Sequence, residues 1–419
     1  MSESDRPGGP VVLVRNLGPI REATVPSSHQ VFMIGPNGSG KSTLAKVYAG
    51  ITSACATYSD WPVFRQGDKG MNGILSNAKR RLEVILLREI EDMLGSRLPE
   101  LRLHRGQRPR YPEINVSVPG LWDARITSKG GKAHCQVTWE PGAEEILIDS
   151  TDAEPRVRPR RSSLAKLFPW STWDSSTAYL PAGRSGLVAA RDTLATSFVL
   201  LASEIGRRDV NVPAFPRPLA VFLNSLVADG GRFETAQDSP AASELRSMLG
   251  GEMKLLDDSS SSRLIFVHED REVGPIETIR WSSMQSELAP LGHVLRRISR
   301  DSVLILEEPE SHVHPALMSQ LATVLLSYAP PGILFCTTHS DLLLRWYGLK
   351  FASSGVGTPV LLTGSPDRAG VGGYVWSQHF GHESFIKEDS LIEPTATLFD
   401  AVVNAEVGTT SHRQMEAHE

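Results

Sequence analysis

The sequence predicts an α/β fold: a mixed sheet core carrying an antiparallel β meander and a helical insert. Three observations predict it. Residues 31–34 (VFMI), 303–306 (VLIL) and 333–336 (ILFC) are continuous apolar runs of the kind found in strands covered on both faces. Helical spacing follows the first two of them, over 43–51 and 315–328. Between 114 and 148 the period drops to two, which marks strands with one wet face.

Taken in order, residues 11–14 (VVLV) and 31–34 make strands, with Gly18, Pro19 and the Pro26-Ser27-Ser28 stretch as turn signals between them. After Ser42 the pattern turns helical, with Leu44, Val47, Tyr48 and Ile51 on one face. A second helix is expected over 77–94. Leu82, Ile85, Leu86, Ile90 and Leu94 line one side of it, and Arg80, Arg81, Glu83 and Arg88 the other. In the meander, Ile114, Val116 and Val118, then Cys135, Val137 and Trp139, alternate with polar neighbours, and Pro119-Gly120 and Gly130-Gly131 supply turns. Residues 149–163 have no period and read as an exposed loop. Tyr179 and Leu180 lead into PAGRSGL and helical spacing over 187–205; 213–249 reads as mainly helical and 264–267 as a strand. GVGGYVW reads as a strand, ESFIKEDSLIEPTATLFDAVV as helical, and 408–419 as frayed.

Composition narrows the function classes. In 419 residues, 43 Lys and Arg face 48 Asp and Glu for a net charge of −5, with 40% hydrophobic residues. That balance excludes a disordered chain, a collagen-like fibre and a strongly basic nucleic-acid coat. Cys55, Cys135 and Cys336 stand far apart with no CxxC pair, against a disulfide scaffold or thiolate zinc site. The opening MSESDRPGGP has no secretory pattern, and no apolar run reaches the roughly 20 residues of a membrane helix. A cytoplasmic protein with no membrane partner is expected.

The chemistry concentrates at three strand ends. Residues 35–42 read GPNGSGKS, the pattern G-x-x-x-x-G-K-[ST] of a phosphate-binding loop, between a buried strand and a helix. Gly35, Gly38 and Gly40 let backbone N–H groups converge on phosphate oxygens, and the helix N-terminus favours the anion. Gly35, Pro36, Asn37, Gly38, Ser39, Gly40, Lys41, Ser42 and Thr43 are the candidate ATP-binding residues. Lys41 would reach the β- and γ-phosphates and Ser42 would ligate Mg²⁺. The run 303–306 ends in Glu307-Glu308-Pro309-Glu310, and a buried strand ending in adjacent carboxylates has a cation or a proton to handle. Glu307 then holds Mg²⁺ and Glu308 polarises the attacking water. The run 333–336 ends in Thr337-Thr338-His339-Ser340, where the imidazole would sense the γ-phosphate. His312 and His314 form an i, i+2 pair with no third ligand, which argues against metal and for a turn against a partner.

GPNGSGKS, LILEEPE and CTTHS in this order, with VRNLGPIREA ahead of them, resemble the ABC-type AAA-domain ATPases of the SMC/RecF-like group. Within that group the resemblance is to the ATPase half of OLD-family proteins. It covers residues 11–65 and about 250–350, with AYLPAGRSGL matching between them. It implies a P-loop NTPase of ABC/SMC-like type whose insert lies between Walker A and signature. The ATPase core is expected at 1–65 and 250–365, a β-rich and helical lobe at 66–249, and a C-terminal extension at 366–419. It also implies a signature segment in which Ser282, Ser283 and Ser286 meet ATP held by the other subunit of a homodimer. Met284 stands where transporter-type signatures carry glycine, and Glu307 where Walker B usually carries aspartate. Gln66 and Gln136 are the candidates for a Q-loop glutamine. Arg184 reaches a phosphate or a neighbouring subunit, or is a buried structural arginine.

The long interval between Ser42 and Ser282 disfavours a transporter subunit, and the lack of a sustained heptad pattern disfavours a coiled-coil SMC protein. The tail after Leu349 is short for the Toprim nuclease of OLD proteins and shows no DxD cluster. The resemblance therefore implies an ATPase that switches a dimer or partner assembly, in DNA processing or anti-phage defence, with a separate effector protein. An ATP-gated scaffold with little turnover is the alternative. RLHRGQRPR at 102–110 and RVRPRR at 156–161 could contact nucleic-acid phosphates or be merely solvated.

Overall fold

The computed structural model describes residues 9–59, 71–103, 110–141, 177–191, 217–227, 239–258, 261–270, 272–298, 302–328, 332–354, 357–367 and 373–387. The expected loop at 149–163, most of the helical spacing over 187–205 and the tail at 408–419 lie outside them. The chain begins with β1 (Val11–Leu17), β2 (Ile20–Val25) and β3 (Gln30–Ile34), followed by α1 (Lys41–Ser59) and α2 (Met71–Leu94). The meander follows as β4 (Glu113–Val118), β5 (Trp122–Lys129) and β6 (Lys132–Trp139). After β7 (Thr177–Leu180) and a helical segment over 184–191 come α3 (Arg217–Val227) and α4 (Pro240–Leu249). A small antiparallel sheet of β8 (Gly251–Asp258), β9 (Ser261–His268) and β10 (Ile276–Glu277) leads to α5 (Ser283–Arg297). The chain continues through β11 (Val303–Glu307), α6 (Met318–Tyr328), β12 (Ile333–Thr338), α7 (Asp341–Ser354), β13 (Val360–Pro366), β14 (Tyr374–Phe380) and α8 (Ser384–Lys387).

Among the described residues one large mixed sheet runs β6-β5-β4-β1-β2-β14-β13-β3-β12-β11-β7. Its strands from β13 to β7 are all parallel, while those from β6 to β2 are all antiparallel. This is the mixed α/β class that the sequence predicts. Strands of the interval 66–249 extend the sheet at both edges, and β14, from the interval 366–419, lies inside it.

Alternation of side chains across the strands builds two cores. Val31, Met33, Val303, Ile305, Ile333 and Phe335 face the layer of α1 and α2. Phe32, Ile34, Leu304, Leu306, Leu334 and Cys336 face the layer formed by α4, α5, α6 and α7. α1 and α2 cross closely because Gly50 has no side chain: a Cβ there would lie 2.7 Å from the Ile90 Cα. Among the described residues, no helix is long and apolar enough to cross a membrane.

Several elements differ from expectation. β2 occupies the stretch that reads as a turn region, because Gly18-Pro19 and Pro26 bracket a short alternating strand. α1 continues past residue 51 to Ser59, since Ala54 and Cys55 prolong its buried face. β8 and β13 are further strands that the spacing does not announce.

Candidate active site at the strand ends

β3 enters the glycine loop and α1 leaves it with Lys41 as its first residue. Gly38 and Gly40 hold φ of 75° and 100°, where a side chain would be strained. Gly40 is constrained twice, because a Cβ would sit 2.5 Å from Ile20 Cγ1 at the β1–β2 turn. Lys41 folds back on its own loop: Nζ donates to the Gly35 carbonyl at 2.7 Å and the Pro36 carbonyl at 3.0 Å. Burial pulls its pKa down to about 8, opposed by the charges of Glu308, Glu310 and Glu307. Ser39 Oγ is buried without a hydrogen-bond partner. A buried cation resting on neutral carbonyls, an orphaned hydroxyl and two left-handed glycines fit a triphosphate. Ser42 and Thr43 are half-buried on the first turn of α1.

The acidic strand end is braced. Glu307 is 4% exposed; its Oε1 accepts from the Tyr179 hydroxyl at 2.7 Å and its Oε2 from the Ala182 N–H at 3.3 Å. Glu308 adopts φ 45°, rare for a non-glycine residue, and its N–H donates to the Thr337 carbonyl at 2.8 Å. Its carboxylate accepts from Ser311 Oγ at 3.4 Å and lies 3.5 Å from His339 Nε2. Burial lowers the His339 pKa, helped by Lys41 and opposed by Glu308, so that contact joins a neutral imidazole to a carboxylate. Glu310 ties the two strand ends together: its Oε1 accepts from Thr338 Oγ1 at 2.7 Å and from the His339 N–H at 2.6 Å. Its Oε2 is buried without a partner, and burial raises its pKa against those two hydrogen bonds.

The structure thus brings Lys41, Glu307, Glu308 and His339 into one electrostatic neighbourhood. The signature serines stand apart, on α5. Ser282 caps that helix in a reciprocal box, accepting from the Gln285 N–H at 3.1 Å while the Ser282 N–H donates to Gln285 Oε1 at 2.9 Å. Ser283 is exposed, but Ser286, one turn on, is only 9% exposed and faces the core. His314 caps the short 3₁₀ turn Pro315–Leu317 by accepting from the Ala316 N–H at 3.2 Å, and His312 is exposed at φ 63°. Gln136 lies exposed on β6; Gln66, residues 156–161 and most of 102–110 lie outside the described residues.

Arg184 is a fully buried arginine rather than a surface phosphate contact. Spacing does not reveal its partners, nor those of Tyr179 and Glu310. The signals available were the quoted AYLPAGRSGL segment and the third acid of EEPE, neither of which shows what it touches.

Two protein families match this chain. Residues 168–345 match one described as "AAA domain, putative AbiEii toxin, Type IV TA system", and residues 31–109 match the ATPase family associated with various cellular activities. No curated protein matches. Among solved structures, an Smc head bound to the C-winged helix domain of ScpA is 12% identical. It covers 88% of this chain and 96% of its own, with a TM-score of 0.47. An Smc head with an extended coiled coil, bound to the C-terminal domain of ScpA derived from Pyrococcus furiosus, is 13% identical. It covers 94% and 99%, with a TM-score of 0.43. The SMC head domain from Thermotoga maritima is 10% identical, covers 89% and 98%, and has a TM-score of 0.39. The two family matches fall on the phosphate loop and on the acidic and histidine strand ends. The chain therefore carries AAA-type P-loop ATPase sequence, in families whose members are generally ATPases.

Proposed function

We propose that this chain hydrolyses ATP as an ABC-type ATPase and uses the cycle to switch a dimer or partner assembly. The observation that carries this reading is the meeting of three strand ends, where Glu308 lies 3.5 Å from His339 and both Lys41 and Glu308 act on that imidazole. Lys41 exchanges its two loop carbonyls for β- and γ-phosphate oxygens of the substrate. Ser42 and Glu307 would hold Mg²⁺, which supplies charge neutralisation on the β- and γ-phosphates. Glu307 fits that role because each of its oxygens accepts one hydrogen bond here and retains a lone pair. Water attacks the γ-phosphorus in line, its proton passes to Glu308, and the bond to the β-phosphate oxygen breaks. His339, neutral and half-exposed, hydrogen-bonds the γ-phosphate and registers its departure.

The dimer reading is supported by the outward tip of α5, where Ser282 and Ser283 are exposed beside Ile279, 86% exposed. The match to a family described as an AAA domain, putative AbiEii toxin, of a type IV TA system supports a role in defence; the separate effector protein rests on the resemblance alone.

Single-turnover hydrolysis by the purified protein tests this. Phosphate release is expected to need Mg²⁺, and Glu308→Gln should slow it by roughly 10²–10⁴-fold while keeping ATP affinity. The ATP-bound variant should sediment as a dimer. Release at the wild-type rate from Glu308→Gln would reject Glu308 as the base. No release from the wild type would favour the ATP-gated scaffold.

A further inference from the structure

Arg184 has no exposed surface, and among the described residues its hydrogen bonds go to backbone carbonyls, beside one ion pair. Nη1 donates to Pro181 O at 2.8 Å and Glu307 O at 2.6 Å, Nη2 to Glu308 O at 3.3 Å, and Nε to Glu287 O at 3.0 Å. Three elements meet on this one planar cation: the segment after β7, the helix α5 and the end of β11. Its charge is matched by Glu287, also fully buried, whose Oε2 lies 3.2 Å from Nε. The other oxygen of Glu287 accepts from the Ser185 N–H at 3.0 Å. Burial lowers the Arg184 pKa, and Glu287, then Glu307, oppose it. A guanidinium keeps its proton in such a site.

The geometry has a specific consequence at Glu308. The Glu307 carbonyl belongs to the peptide plane before the Glu308 α-carbon, and the Glu308 carbonyl to the plane after it. Holding both planes fixes φ and ψ of Glu308, and with them the direction of its Cα–Cβ bond. That residue sits at φ 45°, a conformation that reverts readily unless its surroundings hold it.

Resting on the reading of Glu308 as the base, we infer that Arg184 is a positioning residue: it aims the Glu308 carboxylate and, through Glu287, makes that aim depend on the placement of α5. A lysine could not substitute, because a single ammonium cannot span carbonyls that a planar fork reaches together.

The test is a double-mutant cycle of single-turnover ATP hydrolysis on wild type, Arg184→Lys, Glu308→Gln and the double variant. ATP affinity and thermal unfolding are measured on each. Arg184→Lys should lose roughly ten- to a hundredfold in rate with affinity unchanged within about twofold. In the Glu308→Gln background the same substitution should alter the residual rate by less than about twofold, because the group it aims no longer accepts a proton. Equal losses in both backgrounds, or no loss in the single variant, would overturn the positioning role alone. Wild-type turnover by Glu308→Gln would instead remove the base, and this inference with it. If Arg184→Lys does not fold, Glu287→Gln replaces it: it keeps the acceptor for Ser185, and the same non-additive loss is expected.

Discussion

In β4 and β5 buried residues alternate with more exposed ones, whereas every residue of β3, β11 and β12 is buried. The two halves of one sheet have solved the same hydrogen-bonding problem in different ways. The antiparallel half gives one face to the core and the other to solvent, and tight turns close its strand ends, with Gly120, Gly130 and Gly131 at φ of 77°, 59° and 76°. The parallel half must return each strand through a crossover on a face. Helices therefore cover both faces, and the carboxyl ends open onto loops. Those loops carry Glu308 and His339, and the glycine loop leads directly into Lys41 at the start of α1. Burial on both faces also gives this end its electrostatic character: a lysine pulled down to about pH 8 and a carboxylate whose pKa is raised.

Three measurements sharpen or break this contrast. Lys41→Ala should weaken ATP binding by roughly a hundredfold, the worth of one or two charge-assisted hydrogen bonds, without lowering the unfolding temperature. Calorimetric titration checks it, and wild-type affinity would detach the glycine loop from nucleotide binding. A smaller effect follows from the lowered Lys41 pKa. In the free protein Lys41 loses its proton above about pH 8, and a bound triphosphate favours the protonated form, so binding there takes up protons. Affinity should be level up to about pH 8 and then fall by up to about tenfold per pH unit. Titrations in two buffers of different ionisation heat should reveal the proton uptake. The smallest effect on turnover belongs to the other half. Ile114→Ala, at a fully buried position of β4, should cost about 3 kcal/mol of stability and leave kcat and KM unchanged while the protein stays folded. A shift in KM would show that the meander reaches the site, and the contact of Gly40 with Ile20 is the route it would take.

The sequence was most legible where one residue type has one use. GPNGSGKS, EEPE and TTHS each sit at the end of the strand expected, and the turn glycines of the meander bracket β4, β5 and β6. Legibility failed where identity depends on a distant neighbour. VLLTGSP becomes β13 because β3 and β14 lie on either side of it, and no local period announces that. IREATV becomes β2 because β1 pairs with one edge and β14 with the other. Arg184 is equally opaque in sequence, since its role follows from carbonyls at positions 181, 287, 307 and 308. Ser286 shares a helix face with Ser282 and Ser283 yet is only 9% exposed, because what covers it comes from elsewhere in the fold and spacing does not show it.

The strand that feeds the glycine loop, β3, ends at residue 34, but its flanking strands are β12 and β13, at Ile333–Thr338 and Val360–Pro366. On a ribosome the wait between them is on the order of fifteen seconds to a minute. Throughout it, both edges of a strand that is wholly buried in the finished fold lack their final neighbours, a state in which nascent chains invite chaperones or aggregate. On the proposed reading nucleotide cannot rescue this early stage, because the acids and the histidine assigned to its site emerge with the late strands. Expression yield should therefore respond to translation speed and chaperone supply rather than to cellular ATP.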